Sequence, residues 1–265
     1  MTKAMPYALD RTVVIAATPD IVFRYFTDST RWASWWGAGS TVDAKVGGKI
    51  YVRHPDGTES GGEVVEMQSA RRFVFTYGFA TGKPFPNGAS RVTITLDAEK
   101  AGTRLRLRHD LPDQAARDEH VQGWRFQLSL FANVVTNEVN AGADAVADAW
   151  FEAFADPDAT RREATLRRIA AESVRFQDRY SNLDGLVDLL PHIAAAQHFM
   201  PGIRLHRAGA TRHCQGMALC DWVMKGADGK EHGRGTNSFV FDPTGRVEWV
   251  TGFWTPMAPK QREDP

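Results

Sequence analysis

The chain has only two cysteines in 265 residues. Cys214 and Cys220 are six positions apart in a stretch that reads as one strand, which places their Cα atoms about 20 Å apart. A disulfide needs Cα atoms about 4.4–6.8 Å apart, so the pair is expected to stay reduced. With no second cysteine pair beside them, a zinc site is not expected either. Both observations favour a reducing cytoplasm.

The sequence also lacks an excess of either charge and a long apolar segment. Lys+Arg and Asp+Glu number 32 each, a balance that does not favour a nucleic-acid binder or an anionic-membrane binder. There is no run of about 18 apolar residues, so no membrane span is expected. The first residues contain no apolar signal core. The length of 265 residues fits two domains better than one.

What is present begins with a long amphipathic stretch, from Pro112 to Asn140. Its apolar residues recur at helical intervals of three and four. Five predicted strands precede it, separated by glycine-containing turns, and a strand and two short helices come before them. In the last strand, Leu105, Leu107 and His109 share one face, so His109 is expected to point inward. A core histidine with satisfied hydrogen bonds and a polar anchor in an apolar pocket are the two interpretations.

Several motifs in residues 8–138 resemble one known superfamily. They are Ile15-Ala16-Ala17-Thr18-Pro19, Val22-Phe23, Trp35-Trp36, Val46-Gly47-Gly48, Gly102-Thr103-Arg104-Leu105 and His120-Val121-Gln122-Gly123-Trp124. Together they are similar to the START-like (SRPBCC) superfamily, and within it to bacterial homologues of the heat-shock-protein ATPase activator. The resemblance implies a helix-grip domain, a curved antiparallel sheet around a long C-terminal helix, with a cavity for a hydrophobic or aromatic molecule. The residues expected to line that cavity, unless they only pack the core, are Trp36, Phe75, Tyr77, His109 and Trp124.

The second half starts after a short break of small residues at 140–143. We therefore predict domains at residues 1–140 and 141–265. Helical patterns come first, including one from Asn182 to about His198 that Pro191 is expected to kink or split. Three strands then follow, joined by the hairpin signals Asp228-Gly229 and Pro243-Thr244-Gly245. Helices followed by an antiparallel meander predict an α+β cone, so the fold class of the whole chain is α+β.

Residues 143–255 resemble the SnoaL-like members of the nuclear-transport-factor-2-like superfamily. The residues that carry this resemblance are Phe176-Gln177-Asp178, Gly185, Phe199-Met200-Pro201-Gly202, Trp222, Gly235-Thr236-Asn237 and Gly245-Arg246-Val247. The resemblance implies a conical pocket. It also implies either cofactor-independent cyclase- or isomerase-like chemistry with acid–base carboxylates, or binding alone.

Two residues of this half are candidates for proton transfer. Asp178 ends a strand at the expected pocket mouth, and a carboxylate there could move a proton on carbon next to a carbonyl. His198 could share that work, because imidazole titrates near neutrality. The structural alternatives are a turn-capping carboxylate for Asp178 and an exposed helix-end residue for His198. The expected ligand-binding residues of this half are Trp150, Tyr180, Trp222 and Asn237, with Asn237 or Tyr180 as hydrogen-bond donor to an enolate oxygen.

The sequence thus predicts a protein that binds a hydrophobic, carbonyl-bearing small molecule in one or both cavities, with no metal or other cofactor. The alternative is a non-enzymatic stress- or chaperone-associated interaction protein. Residues 217–224 are partly apolar on both strand faces, which predicts a homodimer through residues 213–254. Trp222 is expected to face inward and Asp221 outward.

Overall fold

The computed structural model describes residues 5–256. The backbone divides into two compact units, of which one ends at Val139 and the other begins at Asn140. Each unit has its own hydrophobic core. None of the helices within residues 5–256 has the length and apolar character needed to cross a membrane.

The first unit is an antiparallel sheet of seven strands with three helices. The helices are α1 (Pro19–Arg24), α2 (Ser29–Trp36) and α3 (Gln114–Val139). The strands are β1 (Tyr7–Ile15), β2 (Thr41–Val42), β3 (Lys49–Arg53), β4 (Glu59–Gln68), β5 (Arg72–Phe79), β6 (Ser90–Glu99) and β7 (Gly102–Leu111). Their order across the sheet is β1-β7-β6-β5-β4-β3-β2.

The core of this unit lies between the sheet and α3. Along β7, Leu105, Leu107 and His109 are buried while Arg106 and Arg108 are exposed, because successive side chains of a strand point to opposite faces. His109 therefore faces inward, as predicted. Phe26, which follows α1, links the two layers: its ring centroid lies 5.1 Å from that of Phe131 on α3 and 5.7 Å from that of Phe73 on β5. The predicted helix-grip arrangement is confirmed.

The turn after α2 depends on one glycine. Asp28 caps the start of α2 by accepting a 2.8 Å hydrogen bond from the backbone N–H of Arg31. The helix ends at Gly37, whose φ is +146°. A Cβ atom at Gly37 would lie 2.2 Å from the carbonyl oxygen of Arg53, so no other residue fits there without moving backbone. Next to this close approach, the Trp36 ring contacts His54, the residue after β3, with ring centroids 5.9 Å apart.

The second unit consists of three helices against a second seven-stranded sheet. The helices are α4 (Ala143–Ala155), α5 (Ala159–Ile169) and α6 (Gly185–Phe199). The strands are β8 (Ala170–Gln177), β9 (Asn182–Asp184), β10 (Arg204–Arg207), β11 (Arg212–Cys214), β12 (Met217–Lys225), β13 (Glu231–Phe241) and β14 (Val247–Trp254). The sheet runs β10-β12-β13-β14-β8-β9, and β11 pairs with β12. The predicted α+β fold class is confirmed.

The pairing of β8 differs from a simple meander. The hairpins β12–β13 and β13–β14 are antiparallel, as the turn signals predict. However, β8 joins the sheet parallel to β14, with Phe176 beside Val250 and Gln177 beside Thr251. This pairing brings the residue after β8, Asp178, to the end of β14.

Helix α6 is continuous through Pro191, so the expected split does not occur. Proline lacks the N–H that would bond the carbonyl group four residues earlier. Pro191 and Val187, the residue four positions before it, are both exposed. The missing hydrogen bond is therefore on the solvent side of the helix, where water can replace it.

Candidate functional site

The second unit encloses a cavity of about 630 Å³ between its sheet and its helices. That volume lies within the range of small-molecule pockets, about 300–1,000 Å³. Most of the wall is apolar or aromatic, and Asp178 is its single acidic residue. The aromatic carbocycles and indoles of the wall are Trp150, Phe151, Phe154, Phe176, Tyr180, Phe199, Trp222 and Trp254.

Asp178 lies in a tight turn directly after β8. Its backbone N–H donates to the carbonyl oxygen of Ser181 at 2.9 Å, and the N–H of Tyr180 donates to its Oδ1 at 2.8 Å. The other carboxylate oxygen, Oδ2, accepts a 3.2 Å hydrogen bond from Nε1 of Trp254. Asp178 is therefore the cap of its turn, as the structural alternative predicts, and it is also a polar group on the cavity wall.

Asn237 is buried in the wall from β13, with 5% of its surface exposed. Its Oδ1 accepts a 2.9 Å hydrogen bond from Nε1 of Trp222. An indole N–H can only donate, so this contact establishes which end of the amide is the oxygen. The remaining group, Nδ2, has no acceptor among residues 5–256. It is available to donate to an oxygen atom of a ligand in the cavity.

Gly252 allows Asp178 and Asn237 to lie close to one another. In the sheet, Gly252 of β14 is the direct partner of Asn237. A Cβ atom at Gly252 would lie 3.2 Å from Oδ1 of Asn237 and 3.2 Å from Cβ of Asp178. The two polar side chains thus flank a position that has no side chain of its own. A carboxylate and an amide donor on adjacent parts of one wall can act on the same ligand.

The structure places His192, and not His198, on the cavity wall. His198 is exposed in the last turn of α6 and contacts the ring of Phe199. His192 lines the cavity, and its Nε2 lies 3.2 Å from the hydroxyl oxygen of Ser181. At about 100° per residue, His192 and His198 are about 120° apart around the helix. His192 shares its face with Ala195, Ala196 and Phe199, a helical spacing from which the sequence could have identified it.

The other residues predicted for this site take different positions in the wall. Trp150 and Trp222 are almost fully buried and line the cavity. Trp222 faces inward, as predicted, whereas Asp221 is on the opposite face, where it pairs with Arg212. Tyr180 lies at the mouth, 69% exposed, with its ring edge-to-face against Trp254 at 5.5 Å.

The five residues predicted to line a cavity in the first unit are all in its packed core. They are Trp36, Phe75, Tyr77, His109 and Trp124, each at most 6% exposed. Trp36 lies 5.6 Å from the Trp124 ring and 6.2 Å from the Tyr77 ring. Phe75 lies 5.9 Å from the ring of Trp32. These contacts favour packing as their role.

A complete hydrogen-bond network explains the buried His109. Nε1 of Trp124 donates to His109 Nδ1 at 2.9 Å, so the imidazole proton is on Nε2. That nitrogen lies 2.8 Å from the Ser90 hydroxyl, which donates to the carbonyl oxygen of Tyr77 at 2.9 Å. Burial, followed by the neighbouring His120, holds the pKa of His109 well below its ordinary value. His109 is therefore a neutral core histidine, the first of its two predicted interpretations.

Two further histidines of the first unit, His54 and His120, are half-buried. His120 is 5.2 Å from His109, centroid to centroid, and His54 contacts the Ser60 hydroxyl at 2.9 Å. Burial lowers the pKa of both. Within residues 5–256, no group of three or more His, Cys, Asp or Glu side chains is arranged to hold a metal ion.

Comparison with known proteins identifies the first unit. Residues 16–136 match the family described as Activator of Hsp90 ATPase homolog 1-like protein, which confirms the resemblance of the first half. No curated protein matches the chain.

Among solved structures, three similar proteins come from different bacteria. A SnoaL-like family protein from Agrobacterium tumefaciens is 25% identical, with 42% of this chain and 96% of that chain covered and a TM-score of 0.41. A protein from Chromobacterium violaceum is 26% identical, with 48% and 96% covered and a TM-score of 0.40. The Aha1 dimer from Colwellia psychrerythraea is 16% identical, with 47% and 92% covered and a TM-score of 0.40.

Proposed function

Residues 16–136 form a domain of the Activator of Hsp90 ATPase homolog 1-like family, and we propose that the ligand-binding site of this chain is the cavity of the second unit. Its ligand is a hydrophobic or aromatic small molecule that carries a carbonyl group. One observation carries the proposal: an aromatic cavity of about 630 Å³ has a carboxylate and an amide on its wall. Both START-like and SnoaL-like folds commonly bind small hydrophobic ligands.

The proposed chemistry is proton transfer without a cofactor. Asp178 accepts a proton from the carbon next to the ligand carbonyl, and the C–H electron pair becomes the enolate. Asn237 Nδ2 donates a hydrogen bond to the enolate oxygen as negative charge develops there. Asp178 then delivers the proton to another carbon of a conjugated enolate, which isomerises the ligand, or to the alkoxide oxygen that forms when the enolate carbon adds to a second carbonyl group and closes a ring. Trp254 holds one carboxylate oxygen at 3.2 Å, and Trp222 orients the amide.

Ligand binding can be tested by native mass spectrometry of the full chain and by titration with N-phenyl-1-naphthylamine, a neutral fluorescent probe of apolar sites. Ala196 lines the cavity from α6, whereas Ala194 is exposed on the same helix and lies outside the wall. Ala196→Phe is expected to lower probe affinity at least tenfold by filling the cavity, and Ala194→Phe to leave it unchanged. Equal affinity in both variants would show that the probe binds elsewhere.

The proposed chemistry has its own test. Any co-purified ligand, or a carbonyl compound selected by the binding assay, is incubated with the protein in D₂O, and deuterium incorporation next to the carbonyl is followed by NMR. Asp178→Asn is expected to abolish exchange while retaining binding, because the amide cannot accept the proton. Exchange that persists in Asp178→Asn would assign the base to another residue.

The packed first unit supports a structural or interaction role for that half. A chaperone- or stress-associated interaction protein is therefore the alternative for the whole chain. An intact cavity that binds neither the probe nor any co-purified molecule would favour it. The two cysteines are free, and the cytoplasm stays the expected compartment.

We also propose that the chain forms a homodimer through residues 213–254. On the outer face of the second sheet, Met217, Val240 and Trp249 lie side by side on neighbouring strands. Met217 is 45% and nearby Leu219 38% exposed, which is apolar area that a second copy would cover. Light scattering at micromolar concentration is expected to give the mass of a dimer, and Leu219→Lys to give a monomer. A monomeric wild type would contradict the proposal.

A further inference from the structure

A shallow groove of about 550 Å³ adjoins the cavity of the second unit. The groove and the cavity share four wall residues, which are Asp178, Ser181, Gly252 and Trp254. The two spaces therefore share a boundary, formed by the 178–181 turn and the end of β14. A ligand that extends across this boundary occupies both.

The two spaces differ in chemistry. The cavity is lined mostly by aromatic and aliphatic side chains. The groove adds Gln177, Arg179, Asn182 and Thr251 to the shared residues, together with the exposed Phe253. Gln177 donates to the Thr251 hydroxyl at 3.1 Å, which fixes the floor of the groove. A molecule that fits both spaces has one apolar end and one polar end.

Arg179 gives the groove its charge preference. Its guanidinium lies over the ring of Tyr180, 4.8 Å from the centroid, a contact that orients the side chain. Within residues 5–256 it has no carboxylate partner and no hydrogen-bond acceptor. By contrast Arg175, on the preceding strand, is paired with Asp184 at 2.8 Å. An oriented guanidinium with free N–H groups binds a carboxylate, sulfonate or phosphate in a planar, bidentate manner.

The single carboxylate of the groove does not cancel this preference. Asp178 already accepts hydrogen bonds at both oxygens, from Tyr180 N–H and from Trp254 Nε1. These donors stabilise its charge within the wall. The Arg179 side chain is exposed, so an anion can approach its guanidinium from the solvent side.

We infer that the groove is a second subsite, which takes the anionic group of an amphipathic ligand whose apolar body fills the cavity. The inference rests on the proposed function and specifies its substrate class: an apolar carbonyl compound with a carboxylate, sulfonate or phosphate at one end. Asp178 lies in the wall between the two ends. The reacting carbon of such a ligand would therefore lie near the point where the molecule leaves the cavity.

Two fluorescent probes with the same aromatic rings separate the two subsites. N-Phenyl-1-naphthylamine is neutral, and 8-anilinonaphthalene-1-sulfonate adds one sulfonate group. Both are titrated into wild type, Arg179→Gln, Arg204→Gln and Ala196→Phe. Arg204 is an exposed arginine on β10 outside both linings, so Arg204→Gln removes the same charge from the same unit. Arg179 is exposed, so its substitution does not disturb a core.

The wild type is expected to bind the sulfonate probe about tenfold more tightly than the neutral one, because one charge-assisted hydrogen bond accounts for a difference in affinity of about that size. Arg179→Gln removes this preference without changing the affinity for the neutral probe, and Arg204→Gln changes neither. Sodium chloride at 0.5 M weakens the preference, because the contact is exposed to solvent. Ala196→Phe weakens the binding of both probes.

Two failures can be told apart. In the first, both probes bind tightly and Ala196→Phe weakens both, but Arg179→Gln leaves the ratio of the two affinities unchanged. This result overturns the subsite and preserves the cavity as the binding site. Binding of neither probe, or binding that Ala196→Phe does not affect, overturns the proposed function itself. An equal loss of sulfonate preference in Arg179→Gln and Arg204→Gln also overturns the subsite, since it would reflect net charge alone.

Discussion

The indole N–H of Trp222 donates to Oδ1 of Asn237 at 2.9 Å, and this contact leaves the amide N–H₂ of Asn237, a residue of the cavity wall, without an acceptor among residues 5–256. Both residues are almost fully buried. The pair therefore does two things at once: it satisfies a polar group inside an apolar wall, and it orients the proposed donor to the ligand. Both consequences can be measured.

Trp222→Phe is expected to lower the free energy of unfolding by about 1–3 kcal/mol, since the buried Oδ1 of Asn237 loses its donor. The freed amide can also rotate, so affinity for carbonyl ligands falls. Urea denaturation and ligand titration measure the two effects. Trp36→Phe in the first unit is the matched control for stability, because the Trp36 side chain is also buried and its indole N–H has no acceptor among residues 5–256. Equal losses in the two variants would mean that ring packing alone matters.

Gly252→Ala is expected to destabilise the second unit and to displace the two polar side chains. The added Cβ would lie 3.2 Å from both Asn237 Oδ1 and Asp178 Cβ, and both atoms are held in place by hydrogen-bonded neighbours. Restricting the unfolded chain contributes about 0.4–1 kcal/mol of stability, whereas overpacking costs about 1–3 kcal/mol. The net loss, about 1 kcal/mol, is read from urea denaturation. A more stable variant with unchanged probe affinity would show that the wall yields easily.

The sequence predicted part of this site and missed part for identifiable reasons. Strand alternation is a local pattern, so it placed Trp222 inward and Asp221 outward without knowledge of the fold. The proximity of Asp178 to Gly252 depends on the parallel pairing of β8 with β14, which joins segments about 70 residues apart and leaves no local pattern. Gly252 itself reads as one more strand glycine, because the contacts that require it come from other strands.

The first unit shows the same division. The inward position of His109 follows from the alternation along β7. Its role could not be deduced, because its partners Trp124 and Ser90 come from a helix and another strand. Only their combined geometry shows that both ring nitrogens are satisfied, which distinguishes a core histidine from a ligand-binding one.

Acidification is expected to destabilise the first unit below about pH 6.5, the ordinary pKa of histidine. Burial lowers the pKa of His54, His109 and His120 in the folded state. As pH falls below 6.5 the unfolded chain binds protons that the folded chain does not, so stability falls with pH. For His109 the slope is up to about 1.4 kcal/mol per pH unit.

This pH dependence can be followed by urea denaturation between pH 7.5 and 5.0, with the His109 ring protons observed by NMR. The ring signals of His109 are expected to stay at their neutral positions throughout. His213 in the second unit also has a pKa lowered by burial, so His213→Asn is included to remove its contribution. A His109 signal that titrates near pH 6.5 while the protein stays folded would contradict the network.

The two histidines of α6 are expected to differ in their effect on ligand binding. His192 lies on the cavity wall with Nε2 3.2 Å from the Ser181 hydroxyl, and Ser181 belongs to the hydrogen-bonded turn that carries Asp178. His192→Phe removes the contact between α6 and this turn, so the turn is expected to loosen and ligand affinity to fall severalfold. His198→Phe, on the same helix but exposed outside the wall, is expected to leave affinity unchanged. Probe titration and hydrogen exchange of the 178–181 amides measure these effects. Faster exchange in His192→Phe alone would show that His192 positions Asp178 through Ser181, whereas unchanged exchange and affinity in His192→Phe would show that the turn does not depend on this contact.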